Sequence, residues 1–265
     1  MFHTSYATTV RAHLPEGLRM VDLELDGALA VVTIDRPHAR NAIGPATMDR
    51  LDKVLDAVSE AEQEGTTHAL VIKGAGEKAF VSGGDLKELA ALRTEEAAMG
   101  MALRMRAICD RVAAFPGPVI AALNGHAFGG GAEFALAADI RVAADDVRIA
   151  FNQVALAIMP AWGGAERLAA LVGPGRALLL AGSGQILSAR EAEREGLVDR
   201  VLPRGGFEAG WRALAHSLAH RPARSIKHVT RPGGCSPREA ARAFARLWVS
   251  DEHWAAAERV MSRGK

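Results

Sequence analysis

Short apolar runs that return again and again between amphipathic stretches are what most constrain the fold of this chain. HALVIKG (68–74), PVIAALNG (118–125) and LVDRVL (197–202) each read as one buried strand, and IRVAADDVRIAF (140–151) reads as two. VDLELDGALAVVTIDRP (21–37) predicts a hairpin around Asp26-Gly27, its second strand closed by Pro37. PATMDRLDKVLDAVSEAEQEG (45–65) has Pro45 near its start, apolar residues at Met48, Leu51, Val54, Leu55 and Val58, and Gly65 after it, so it predicts an amphipathic helix with both ends marked. Strands alternating with helices predict an α/β protein with largely parallel pairing. No fixed-period repeat is visible in the letters, yet the recurrent strand, strand, helix order is compatible with a structural repeat. From Gly205 the strand signals stop. GGFEAGWRALAHSLAHR, PARSIKHVT, SPREAARAFARLWVS and DEHWAAAERVMSR predict four helices, which divides the chain into a core over 1–204 and a helical region over 205–265.

Several function classes fall away on charge and composition. A formal net charge of +1, with dispersed arginines, gives no electrostatic reason for a nucleic-acid partner. Cys109 and Cys235 are the only cysteines, too few for a disulfide framework and without CxxC spacing, which predicts reduced thiols and a cytoplasmic protein. The opening MFHTSYATTVRAHLPEG has no apolar core of a signal peptide, and no run is long and apolar enough to span a membrane. No His, Asp and Glu cluster has metal-ligand spacing, so no metal is expected. Ser82 lacks the GxSxG setting of a nucleophile elbow, which argues against Ser/His hydrolysis.

The chemistry of the chain gathers in glycine loops. In NGHAFGGGAEFALAADIR (124–141) three glycines open an apolar helical segment whose only early charge is Glu133. The run lacks GK[ST] and the last glycine of GxGxxG, which argues against a phosphate cradle. An acid in the first turn of a helix is favourable in itself, but the helix is apolar all round and so expected to be buried, where a carboxylate needs a partner or a task. KAFVSGGDLKEL (78–89) places Gly83 and Gly84 at a second helix start, with Asp85 a good N-cap. Spacing alone does not show that the two loops meet.

AFVSGGDLKEL, NGHAFGGGAEFALAADIR and MPAWGGAERLAALVG, in this order and with IDRPHARNAI upstream, resemble the enoyl-CoA hydratase/isomerase (crotonase) family across nearly the whole chain. The resemblance implies a crotonase-like spiral of ββα units with C-terminal helices that build a homotrimer or homohexamer. It implies an acyl-CoA substrate, no cofactor beyond the coenzyme A of that substrate, and a thioester enolate held by two backbone amides. Carried over by position, those amides are Gly84 and Gly130, and Glu133 beside them moves the proton. Donors preorganised where charge appears are each worth about 10²- to 10³-fold in rate. Arg40 and Lys87 match positions near the nucleotide and phosphate end of CoA, although each also reads singly as a solvated surface cation. Ser82, Gly83, Asp85 and Gly129 complete the implied substrate-binding loops.

One position departs from the hydratase pattern. The second glutamate of a hydratase stands seven residues before the proline of the PGxGG-like motif, and counting back from Pro160 gives Gln153. An amide neither accepts nor gives up a proton near neutral pH, though it orients water or substrate. PAWGG, with Trp162, resembles the PSWGG run of ethylmalonyl-CoA decarboxylases, which keep the first glutamate and lack the second. The reading is therefore hydratase/isomerase chemistry, with decarboxylation of a short carboxyacyl-CoA or non-catalytic acyl-CoA binding as the alternatives.

Overall fold

A computed structural model of the chain describes residues 10–11, 20–231 and 233–263. Apart from Val10 and Arg11, the N-terminal stretch read above for targeting signals lies outside them. The described chain divides into two compact units, one ending at Ala219 and one beginning at His220.

The first unit is built on two sheets. The larger contains β1 (Val10–Arg11), β2 (Val21–Asp26), β3 (Leu29–Ile34), β4 (Ala69–Gly74), β6 (Val119–Leu123), β8 (Ile140–Ala144) and β11 (Arg200–Leu202), neighbours in that order. β1, β2 and β3 pair antiparallel, and every pairing from β3 onward is parallel. The smaller sheet has the order β10-β9-β7-β5, with β5 (Ala79–Val81), β7 (His126–Phe128), β9 (Arg148–Ala150) and β10 (Leu187–Ser188). The predicted hairpin is present, with Val21 opposite Ile34 and Asp26 opposite Leu29.

This arrangement is a spiral. Three times the chain lays a strand in the large sheet, then one in the small sheet: β4 then β5, β6 then β7, β8 then β9. The successive strands are parallel neighbours in both sheets. β4 and β6 are buried at nearly every position because helices cover the sheet, so they read as unbroken apolar runs rather than alternating ones. Two of those helices are α1 (Pro45–Gln63), which buries Met48, Leu51, Val54, Leu55 and Val58, and α3 (Glu95–Ala114), which buries Met105, Ile108, Cys109 and Val112.

β5, β7 and β9 each lead into a loop with a helical turn. β5 leads through Gly83-Gly84 into α2 (Leu86–Leu89), capped as predicted by the Asp85 side chain, which accepts from the amides of Lys87 and Glu88. β7 leads through Gly129 into α4 (Gly130–Ala135), whose six residues are all buried. β9 leads into a 3-10 helix over Asn152–Leu156, then through 160–163 into α5 (Gly164–Val172).

The unit closes with α6 (Pro174–Ser183), α7 (Ala189–Arg194) and α8 (Phe207–Leu218). α8 corrects the boundary expected at 204/205. It buries Phe207, Trp211 and Ala215, and Arg212 reaches Asp26 at 3.0 Å, so the helix is part of the first unit. The second unit comprises α9 (Arg221–Thr230), α10 (Pro237–Trp248) and α11 (Asp251–Arg263).

Candidate active site

The two glycine loops meet. A Cβ built on Gly83 would stand 3.3 Å from the amide nitrogen of Gly130 and 3.3 Å from the carbonyl oxygen of Phe128. The parallel pairing of β5 with β7 produces this approach, because both loops leave the same end of adjacent strands. Gly84 is held by a bridge to Ile43 in which Ile43 N donates to Gly83 O and Asp85 N donates to Ile43 O, both at 2.9 Å. In a parallel bridge the flanking residues make the bonds, which leaves the Gly84 N–H directed away from Ile43. Gly130, as the first residue of α4, has no intrahelical acceptor for its N–H.

Glu133 projects from α4 and is 2% exposed. Its carboxylate is fully engaged. Oε1 accepts from Gln153 Nε2 at 2.7 Å and from Ala161 N at 3.3 Å, while Oε2 accepts from Trp162 N at 2.7 Å and Gly164 N at 3.0 Å. Gly164 has to be glycine for this, since a Cβ there would lie 2.7 Å from both Glu133 Cβ and Oε2. Gly131 is fixed in the same way by strand β5, for its Cβ would meet the backbone of Val81. Burial pushes the Glu133 carboxyl above the ordinary glutamate range, and the bonds from Trp162, Gly164, Ala161 and Gln153 oppose that shift without cancelling it.

Gln153 is 7% exposed, and its Oε1 is buried without a hydrogen-bond partner among the described residues. The position counted from Pro160 therefore does stand against Glu133. Two other candidates, Gly129 and Asp85, have their groups committed within the chain. The Gly129 amide donates to Ala150 O at 2.9 Å, so it is not free for a ligand. Asp85 caps α2 and pairs with Arg36 at 3.1 Å, and its carboxyl lies below the usual range because the Glu88 amide and Arg36 outweigh the opposing effect of burial. Ser82 is partly buried, whereas Arg40 and Lys87 are exposed. Glu166 is an exposed residue of α5 paired with Arg106. A cleft of about 280 Å³ elsewhere is lined by Leu55, Val58, Glu62, Arg111 and Phe115 and includes none of the site groups.

Two sets of partners had not been singled out in the sequence. The amides of Ala161, Trp162 and Gly164 hold Glu133, and Gly163-Gly164 before α5 is the signal that could have found them, a third glycine pair at a helix start. Arg36 is 7% exposed and donates to Ala42 O at 2.7 Å while pairing with Asp85 and Glu88, which ties the segment before α1 to the Gly84 loop. A buried arginine after a strand carries no comparable signal.

Among the described residues no group of three His, Cys, Asp or Glu is placed to hold a metal ion, and no helix is long and apolar enough to cross a membrane.

A two-sheet ββα spiral carrying a buried acid beside two joined glycine loops defines a crotonase-fold protein. The description of enoyl-CoA hydratase/isomerase sequences matches residues 24–232. The chain is 41% identical over 185 residues to a short-chain-enoyl-CoA hydratase of Clostridium acetobutylicum, covering 70% of this chain and 69% of that protein. It is 39% identical over 180 residues to a crotonyl-CoA hydratase of Syntrophomonas wolfei, covering 68% of each. The crystal structure of an enoyl-CoA hydratase from Bacillus anthracis superposes with a TM-score of 0.84 at 29% identity, over 92% of this chain and 97% of that one. The chain belongs to the enoyl-CoA hydratase/isomerase family.

Proposed function

We propose that this enzyme binds an acyl-CoA thioester, stabilises its enolate with the Gly84 and Gly130 amides, and moves protons with Glu133. The close approach of the Gly83 backbone to the Gly130 amide supports this reading, since it brings together the two loops that carry the proposed donors. Negative charge gathering on the thioester oxygen meets N–H groups already in position, so little reorganisation accompanies the reaction. A carboxylate with its pKa raised by burial is a stronger base than a solvated one, and it sits where the proton leaves or returns. Arg40 and Lys87 are the proposed contacts to the CoA phosphates, with the Ser82–Asp85 and Gly129 loops bordering the thioester. We place the activity in the cytoplasm, in keeping with two unpaired cysteines.

Within the family, one acid suffices for double-bond isomerisation, and hydration then rests on Glu133 alone with Gln153 as an orienting amide. Gln153 in the second acid position also favours a second reading, decarboxylation of a short carboxyacyl-CoA, which needs the enolate site and a single proton donor.

Mass spectrometry of a panel of enoyl- and carboxyacyl-CoAs separates these outcomes: addition of water, unchanged mass with a moved double bond, or loss of carbon dioxide. Glu133→Gln should bind acyl-CoA about as well as the parent and lose turnover by about 10²-fold or more. Its fold should persist. The new amide oxygen takes the Trp162 and Gly164 bonds, and its NH₂ donates to a turned Gln153 whose oxygen otherwise has no partner among the described residues, at the loss only of the long Ala161 bond. Undiminished turnover by this variant would remove Glu133 from the mechanism, and binding with no turnover of any thioester by the parent would favour a non-catalytic acyl-CoA binder.

A further inference from the structure

Trp162 borders both glycine loops with its ring and Glu133 with its backbone. Its amide donates to Glu133 Oε2, and its carbonyl accepts from Arg167 Nη1 at 3.1 Å. Arg167 is held in turn by Asp110 on α3. With its backbone fixed on both sides and only 5% of its surface exposed, the indole has little room to move. Its six-membered ring lies against the two glycines whose amides are proposed to hold the thioester oxygen. A Cβ on Gly130 would come to 2.5 Å from Cη2 and 2.8 Å from Cε3, and one on Gly84 would come to 3.7 Å from Cζ2. On Gly84 the Leu89 Cδ1 methyl would stand 2.9 Å from the same Cβ, so an aliphatic group and an aromatic ring both crowd that residue.

We propose that Trp162 is a specificity-determining residue: its indole walls the acyl site just beyond the reacting carbons and restricts the enzyme to short-chain thioesters. The inference rests on the acyl-CoA reading above. The reacting carbons have to lie near Gly84, Gly130 and Glu133; the ring borders both glycines, and the backbone of the same residue bonds Glu133. A longer chain either displaces a packed indole or turns away from it. Overpacking of that kind is unfavourable, whereas an open apolar channel gains affinity with each added methylene, by up to about fourfold.

The test measures binding of butyryl-, octanoyl- and decanoyl-CoA to the full chain by calorimetry, for the parent, Trp162→Ala and Trp162→Phe. The parent should bind decanoyl-CoA at least about tenfold more weakly than butyryl-CoA. Trp162→Ala should shift that ratio toward decanoyl-CoA by about 10²-fold or more, with Trp162→Phe between them. If the alanine variant does not fold, the parent's own series and the phenylalanine variant decide. Equal binding of the three thioesters by the parent, or an unchanged ratio in a folded variant, overturns the proposal and leaves the acyl-CoA reading standing. Absence of binding to any acyl-CoA, with free coenzyme A as the reference, defeats that reading as well.

Discussion

At the scale of single residues, the contact between Glu133 and Gln153 governs which reactions are open. An ionised carboxylate accepts and does not donate, so the amide of Gln153 has to present its NH₂ to Glu133 and turn its oxygen elsewhere. Because burial raises the Glu133 pKa, the ionised base is lost as pH falls at a higher pH than for an ordinary glutamate, and the acid limb of kcat/KM should lie correspondingly high. Gln153→Glu would place a second carboxyl at the 2.7 Å contact. Two carboxylates that close cannot both ionise, so the pair should retain one proton at neutral pH and supply an acid and a base together. Hydration of crotonyl-CoA, followed by loss of the conjugated thioester absorbance, should rise by at least about tenfold, and a basic limb should appear in the pH profile. A slower hydratase without the basic limb would show that Gln153 does not occupy an acid position.

At the scale of elements, the site is the product of one repeated move. β5, β7 and β9 are parallel neighbours, and the loops that follow them carry Gly84, then Gly130 and Glu133, then Gln153. Arg36 pins the first of these loops through Asp85 and Glu88, which makes it a positioning residue for the Gly84 amide. Arg36→Lys keeps the charge but loses the fork that reaches Ala42 O and both acids. It should lower kcat by about tenfold or more while KM stays within a few-fold, because a displaced donor matters most once charge has developed on the oxygen. Parallel losses in kcat and KM, or none, would reduce Arg36 to a fold residue.

The same elements explain what could be read from the letters. β4 and β6 are legible because burial on both faces leaves unbroken apolar runs, whereas the half-buried β2 is legible through its turn at Asp26-Gly27. β5 and β7 have three residues each, too few to show any period, whereas β9, just as short, is legible as the second strand of 140–151. α3 was obscured because Met99 and Leu103 are exposed while Met105, Ile108, Cys109 and Val112 are buried, so its apolar residues form no single stripe. Glu133 and the glycines stood out through their unusual neighbours. The amides that grip Glu133 are backbone groups of residues 28 to 31 positions away, and nothing in a side-chain pattern announces them.

At the scale of the whole molecule, the second unit carries the clearest unpartnered surface. Phe244, Trp248, Trp254, Val260 and Met261 are all exposed, and Trp248 lies 5.6 Å from both the Phe244 and the Trp254 ring, so the aromatic groups cluster. Clustered exposed aromatics on two helices favour self-association. Light scattering should find the full chain as a trimer or hexamer, and a chain ending before Ser236 should be monomeric or insoluble. A monodisperse monomer of the full chain would overturn this assignment of the C-terminal helices.

The spiral also imposes an order of assembly on the chemistry. Glu133 lies on α4, but every group that grips its carboxylate belongs to residues 153–164, which leave the ribosome later. A nascent chain that has completed β7 and α4 has both glycine loops in hand and still needs water around its acid, because a bare carboxylate is too costly to bury. It is the 153–164 segment that, once docked, takes the place of that water and sets Trp162 over the glycines. In the folded chain the segment that covers α4 and the segment that satisfies its base are therefore one and the same.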